Sequence, residues 1–85
     1  MEIRADPTPN PNALKFTVSV AVGGPATYVV GSENAEGFVS ELLDVEGVTS
    51  LFLTADFVTI SKTPTSSWDV IAPQATAILE SRFGG

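Results

Sequence analysis

Eighty-five residues with 44% hydrophobic and 16% charged side chains describe one globular domain rather than a disordered tail. Cysteine and histidine are both absent, which excludes disulfide staples, thiolate-held zinc or iron–sulfur clusters and the commonest general base. Ten acids against four bases give a net charge of −6, which disfavours nucleic acid and anionic membranes as partners and steers the chain toward neutral or basic ones.

Residues 1–85 read as a single unit, with residues 1–12 as a Pro/Asn-rich lead-in. The chain opens without a basic segment followed by an apolar run, and no apolar stretch approaches the roughly 20 residues that span a bilayer. A cytoplasmic protein is expected. Pro7, Pro9 and Pro11 fix φ and push Asp6, Thr8 and Asn10 toward extended backbone. Leu14, Phe16, Val18, Val20 and Val22 then alternate with smaller or polar residues, the period of a half-buried strand. Gly23-Gly24-Pro25 breaks that strand, and a second at about Ala26 to Val30 is expected to pair with it as an antiparallel hairpin.

Ser32 or Asn34 is a candidate N-cap for a helix whose apolar stripe is Ala35, Phe38, Val39, Leu42 and Leu43. Gly37 weakens that helix by about 1 kcal/mol relative to alanine, and Gly47 is its expected stop. Val48 to Thr54 and Phe57 to Lys62 read as two strands about a tight Ala55-Asp56 turn. Ser66 and Asp69 have capping-box spacing before a second stripe of Trp68, Ile71, Ala72, Ala75, Ile78, Leu79 and Phe83. Pro73 lies within that stripe and predicts a break or kink, with the regular helix starting near Ala72.

The order ββαββα predicts an α+β fold: a four-stranded, mainly antiparallel sheet with both helices packed on one face. Strand parity points Leu14, Phe16, Val18, Val20, Leu51, Leu53, Val58 and Ile60 toward the helices. Lys15, Thr17, Ser19, Ser50, Phe52, Thr54, Phe57, Thr59 and Ser61 take the other face.

The run Thr8-Pro9-Asn10-Pro11-Asn12-Ala13-Leu14-Lys15-Phe16 resembles the opening of the N-terminal domain of the Nfu/NifU-type iron–sulfur scaffold family. Glu46-Gly47-Val48, Asp56-Phe57-Val58-Thr59-Ile60-Ser61-Lys62 and Trp68 resemble further family segments in the same order. In that family, the resemblance implies, a separate C-terminal domain holds the cluster through a Cys-x-x-Cys motif. This chain stops at Gly85 without a cysteine. The expectation is therefore a stand-alone N-terminal-type domain that is neither a cluster carrier nor an enzyme and has no cofactor of its own. Its implied partners are proteins, either iron–sulfur assembly components or client proteins, and it is expected to be a monomer or weak homo-oligomer.

Two surfaces are candidates for such contacts. Thr8, Asn10 and Asn12 either stiffen the entry to the sheet or form a polar docking rim beside Lys15. Phe52 and Phe57 lie among hydroxyls on the open sheet face, which is either merely solvated or an adaptable peptide-binding surface. The acids Glu33, Glu36, Glu41, Asp44 and Glu46 around the first helix read as a solvated face; they lack the spacing of a calcium loop. No nucleophile-elbow motif is present. The alternatives are a ubiquitin-like sulfur or protein carrier acting through Gly84-Gly85, and a purely structural subunit.

Overall fold

The computed structural model describes residues 3–18, 21–22, 24–31, 33, 35 and 37–83. In chain order the elements are β1 (Arg4–Pro7), β2 (Ala13–Thr17), β3 (Ala26–Val29), α1 (Phe38–Leu43), β4 (Val48–Thr54), β5 (Phe57–Lys62) and α2 (Trp68–Phe83). The strands form one antiparallel five-stranded sheet in the order β1-β2-β5-β4-β3. The α+β class and the antiparallel sheet match expectation. The fifth strand comes from the lead-in, where Arg4 to Pro7 pairs with Thr17 to Leu14.

That pairing also corrects the expected hairpin. A strand has two edges, and β1 and β5 occupy both edges of β2. β3 therefore has no place beside β2 and pairs with the free edge of β4, Ala26 opposite Leu53 and Val29 opposite Ser50. β2 is also shorter than its alternation suggests, because its ladder ends where β5 begins, at Thr17 opposite Phe57. Beyond it the chain skirts the β4–β5 turn. The Val18 N–H donates to the Asp56 carbonyl at 2.8 Å and the Val22 N–H to the Ala55 carbonyl at 2.9 Å. Ser19 and Val20, which had been assigned to opposite faces, lie outside the described residues.

Parity produces the core. Phe16, Val18, Leu51, Leu53, Val58 and Ile60 are buried together with Val39 and Leu42 of α1 and Ile71, Ala75 and Leu79 of α2. Both helices thus cover the same sheet face, and each fully buried large side chain stabilises the fold by about 1.5–3 kcal/mol. A register irregularity at Val48/Ser50 lets Val48 and Leu51, three positions apart, both point inward.

α1 is shorter than its stripe suggests. Gly37, with φ 59° and ψ −132°, cannot continue a helix and stands as its N-cap without a side-chain capping bond. The candidate caps Ser32 and Asn34 lie outside the described residues. α2 corrects the sequence reading at two points. Its cap is Ser67 rather than Ser66, since the Ser67 Oγ accepts the Asp69 N–H at 3.1 Å. It also runs unbroken through Pro73. Pro73 is exposed, and so is Asp69, whose carbonyl lacks the helical N–H that residue 73 would otherwise donate. Ile71, Ala75 and Leu79 hold both sides of the proline in the core.

α1 ends at Leu43 with Asp44 as its C-cap, short of the stop expected at Gly47. Gly47, with φ 98°, instead turns the chain into β4 and receives the α2 lead-in: a Cβ there would strike the Ser66 Oγ and come within 2.7 Å of the Ser66 Cβ. Gly47→Ala is expected to cost about 1–3 kcal/mol of unfolding free energy in a denaturant titration. A loss below about 0.5 kcal/mol would contradict this packing.

Candidate functional site

The Pro/Asn-rich run is a turn that satisfies itself. Thr8 Oγ1 accepts the Asn10 N–H at 3.2 Å and lies 2.9 Å from both the Asn10 and Ala13 carbonyls, to either of which it can donate. Asn10 Oδ1 accepts the Asn12 N–H at 2.9 Å, and the Ala13 N–H returns to the Asn10 carbonyl at 3.0 Å. These are the side-chain-to-backbone closures that Asn and Thr supply in turns. The side chains do not alternate along an extended strand, because residues 8–12 close the β1–β2 hairpin.

This turn is pinned to the far end of β5. The Lys62 N–H donates to the Asn12 carbonyl at 2.8 Å, and Lys62 Nζ donates to Asn12 Oδ1 at 3.1 Å. Lys62 Nζ also donates to the Thr63 carbonyl at 3.2 Å and sits 5.7 Å from the Trp68 ring centroid. Trp68 Nε1 donates to the Pro11 carbonyl at 3.0 Å. The Thr63 N–H closes the corner on the Gly47 carbonyl at 2.9 Å. Three segments distant in sequence (the 8–12 run, Gly47 and the stretch from Lys62 to Trp68) therefore meet at one corner, with most of their polar groups facing one another.

The open sheet face is different. No helix among the described residues covers it. Across the middle run Asp6, Lys15, Thr59, Phe52 and Thr27, opposite one another in successive strands. Phe57 lies diagonal to Lys15, whose Nζ stands 4.3 Å from the ring centroid. Phe52 is 40% exposed, and Val29, diagonal to it on β3, is 53% exposed. Lys15, Phe52 and Phe57 are thus brought together, while Thr8, Asn10 and Asn12 lie in the turn. Thr27, Val29 and Asp6 were missed because their place on this face depends on strand order. Only the β-branched and aromatic content of residues 26–30 signalled a strand there.

Among the described residues no group of three or more His, Cys, Asp or Glu is placed to hold a metal ion, and no helix is long and apolar enough to cross a membrane. A shallow pocket of about 320 Å³ beside α2 is lined by Glu46, Thr65, Ser66, Ser67, Val70 and Ile71. Within it, the Ser66 hydroxyl is already paired with Thr63 Oγ1 at 2.6 Å. Gly84 and Gly85, on which a carrier role would rest, lie outside the described residues.

If the corner is structural, Asn12→Ala and Trp68→Phe should each lower unfolding free energy by about 0.5–1.5 kcal/mol, the worth of one hydrogen bond. Thermal unfolding measures this, and unchanged stability in both variants would contradict it.

Comparison with known proteins agrees with the fold. The model of the N-terminal domain of the scaffold proteins Nfu and NifU matches residues 3–84. The chain is 39% identical over 84 residues to conserved virulence factor C of Staphylococcus haemolyticus, covering 93% of this chain and 22% of that protein. It thus spans about a fifth of the length of the curated relatives it matches. The crystal structure of protein SAV1430 from Staphylococcus aureus superposes with a TM-score of 0.81 at 32% identity, covering 94% of this chain and all of that one. A NifU-like protein from Saccharomyces cerevisiae superposes with a TM-score of 0.85 at 28% identity, covering 98% of this chain and 78% of that one. With the family model spanning nearly its whole length, this chain belongs to the Nfu/NifU N-terminal family.

Proposed function

We propose that this domain is a non-enzymatic protein-interaction module of iron–sulfur assembly that does not itself hold the cluster, and that it works through the open face of its sheet. Family membership supports the link to iron–sulfur chemistry. The residues do not fit a cluster: the sequence has no cysteine and no histidine, and a cluster needs such ligands. The observation that carries the choice of surface is the contrast between the two candidates. At the corner, the Thr8 hydroxyl, the Asn10 and Asn12 side-chain oxygens, the Lys62 ammonium and the Trp68 indole N–H are all bonded to the chain itself. On the sheet, Lys15 and Phe52 face outward with aromatic and hydroxyl neighbours, the composition of a contact patch. The partners on this reading are assembly components or cluster-receiving clients.

Affinity capture from extracts of the source cells tests this. Lys15→Glu and Phe52→Ser should each lose iron–sulfur assembly or client proteins while melting close to the parent, since both side chains lie on the outer face. Glu41→Lys, on the helical side, should retain them. Retention by both sheet variants, or loss only with Glu41→Lys, would overturn the assignment. In a separate measurement, ferrous iron and sulfide should leave the purified chain without the absorbance of a stoichiometric cluster; a stable cluster would refute the non-carrier reading.

A further inference from the structure

The charges of this molecule are not evenly spread. Among the residues of the five strands, Asp6 is the one acid, against Arg4, Lys15 and Lys62. The other described acids lie in the helices and connections: Glu33, Glu41, Asp44, Glu46, Asp56, Asp69 and Glu80. Two of the strand cations are already engaged. Arg4 Nε pairs with Asp6 Oδ1 at 3.2 Å, and Lys62 is held at the corner. Asp6 stands opposite Lys15 in the register but is drawn to Arg4. Among the described residues Lys15 has no carboxylate partner within ion-pair distance, and the Phe57 ring lies against its ammonium group.

From this we infer that the open face receives an extended segment of a partner protein that carries a carboxylate for Lys15 and a bulky apolar side chain for Phe52 and Val29. The inference rests on the open face being the working surface and adds the chemistry of its occupant. Lys15 and Phe52 belong to β2 and β4, with Thr59 of β5 between them. Two strand spacings separate them by about 10 Å, which an extended chain crosses in about three residues. In the polyproline II form, with three residues per turn and a rise of about 3.1 Å, side chains three positions apart share one side at about 9 Å, so an acidic residue three positions from an apolar one meets both anchors. Hydroxyls between and beside the anchors, Thr59 and Thr27, favour an extended segment over a helix, because an extended backbone has free N–H and C=O groups to bond. The net charge of −6 opposes an acidic ligand at a distance. At physiological salt, however, that field is screened within about 8 Å, and the contact is decided by the charges on the face itself.

The test uses the full 85-residue chain and labelled synthetic peptides with Glu three residues before Phe, read by fluorescence anisotropy and by chemical shifts of Lys15, Thr59 and Phe52. The Glu peptide should bind, and its Lys-for-Glu counterpart should bind at least about tenfold more weakly. Lys15→Glu should reverse that preference, and Phe52→Ser should weaken both pairings. No binding, equal binding of the two peptides, or no reversal with Lys15→Glu would overturn the inference. So would self-association that perturbs the same resonances, or stronger binding of a single-stranded oligonucleotide. If the peptides fail while Lys15→Glu still loses its cellular partners, only the acidic-segment chemistry falls. If Lys15→Glu and Phe52→Ser both keep them too, the sheet-face reading falls with it.

Discussion

The fold depends on burying one face of a narrow sheet. β5 lies at its centre, and its Val58 and Ile60 are fully buried between Phe16 of β2 and Leu51 and Leu53 of β4. Both helices close on that layer, which buries Val39 and Leu42 of α1 and Ile71, Ala75 and Leu79 of α2. The pleat then leaves no freedom on the opposite side. Once Phe16, Val58 and Leu53 turn inward, Lys15, Phe57, Thr59 and Phe52 must turn outward. A slip of one residue in β5 would exchange the two sets and destroy the core, so the same interaction that stabilises the domain also fixes its exposed surface.

The most recognisable part of the sequence has a different role. The Thr-Pro-Asn-Pro-Asn run, Gly47 and the stretch from Lys62 to Trp68 are far apart along the chain but share one corner. There the first hairpin is tied to the end of the central strand and the start of α2. Each residue type has a physical reason to be there: prolines preset the turn, asparagines accept backbone and ammonium donors, glycine allows the close approach of Ser66, and tryptophan gives both an apolar body and one donor. In this chain these segments hold the fold together, and the hydrogen bonds they make are directed inward.

Much of this was legible in the sequence, for identifiable reasons. Period-two alternation gave β4, β5 and most of β2 with their correct faces, because burial on one side imposes that pattern. The α2 stripe was equally clear, but its passage through Pro73 was not, since a helix-interior proline costs about 3 kcal/mol and only the burial of Ile71, Ala75 and Leu79 around it offsets that. β1 escaped notice because Arg4–Pro7 is short and hydrophilic and is held as a strand by its partner rather than by its own pattern. The mistaken hairpin has the same origin: Gly23-Gly24-Pro25 marks a break, but which strand follows next in space depends on which edges are already occupied. Lys15, Phe52 and Phe57 could be assigned to one face from parity alone, whereas the full row from Asp6 to Thr27 required the strand order.

The proposed docking mode places partner proteins on the open sheet face and leaves the helical face and the corner free. Solvent paramagnetic relaxation of the labelled domain, alone and in complex with a captured partner, tests this most directly. Docking on the sheet face gives strong enhancement at Lys15, Thr27, Phe52 and Thr59 in the free domain, lost on complex formation, with little change at Glu41, Val70 and Glu80. Protection of α1 and α2 by the partner, with the sheet face still exposed, would contradict it.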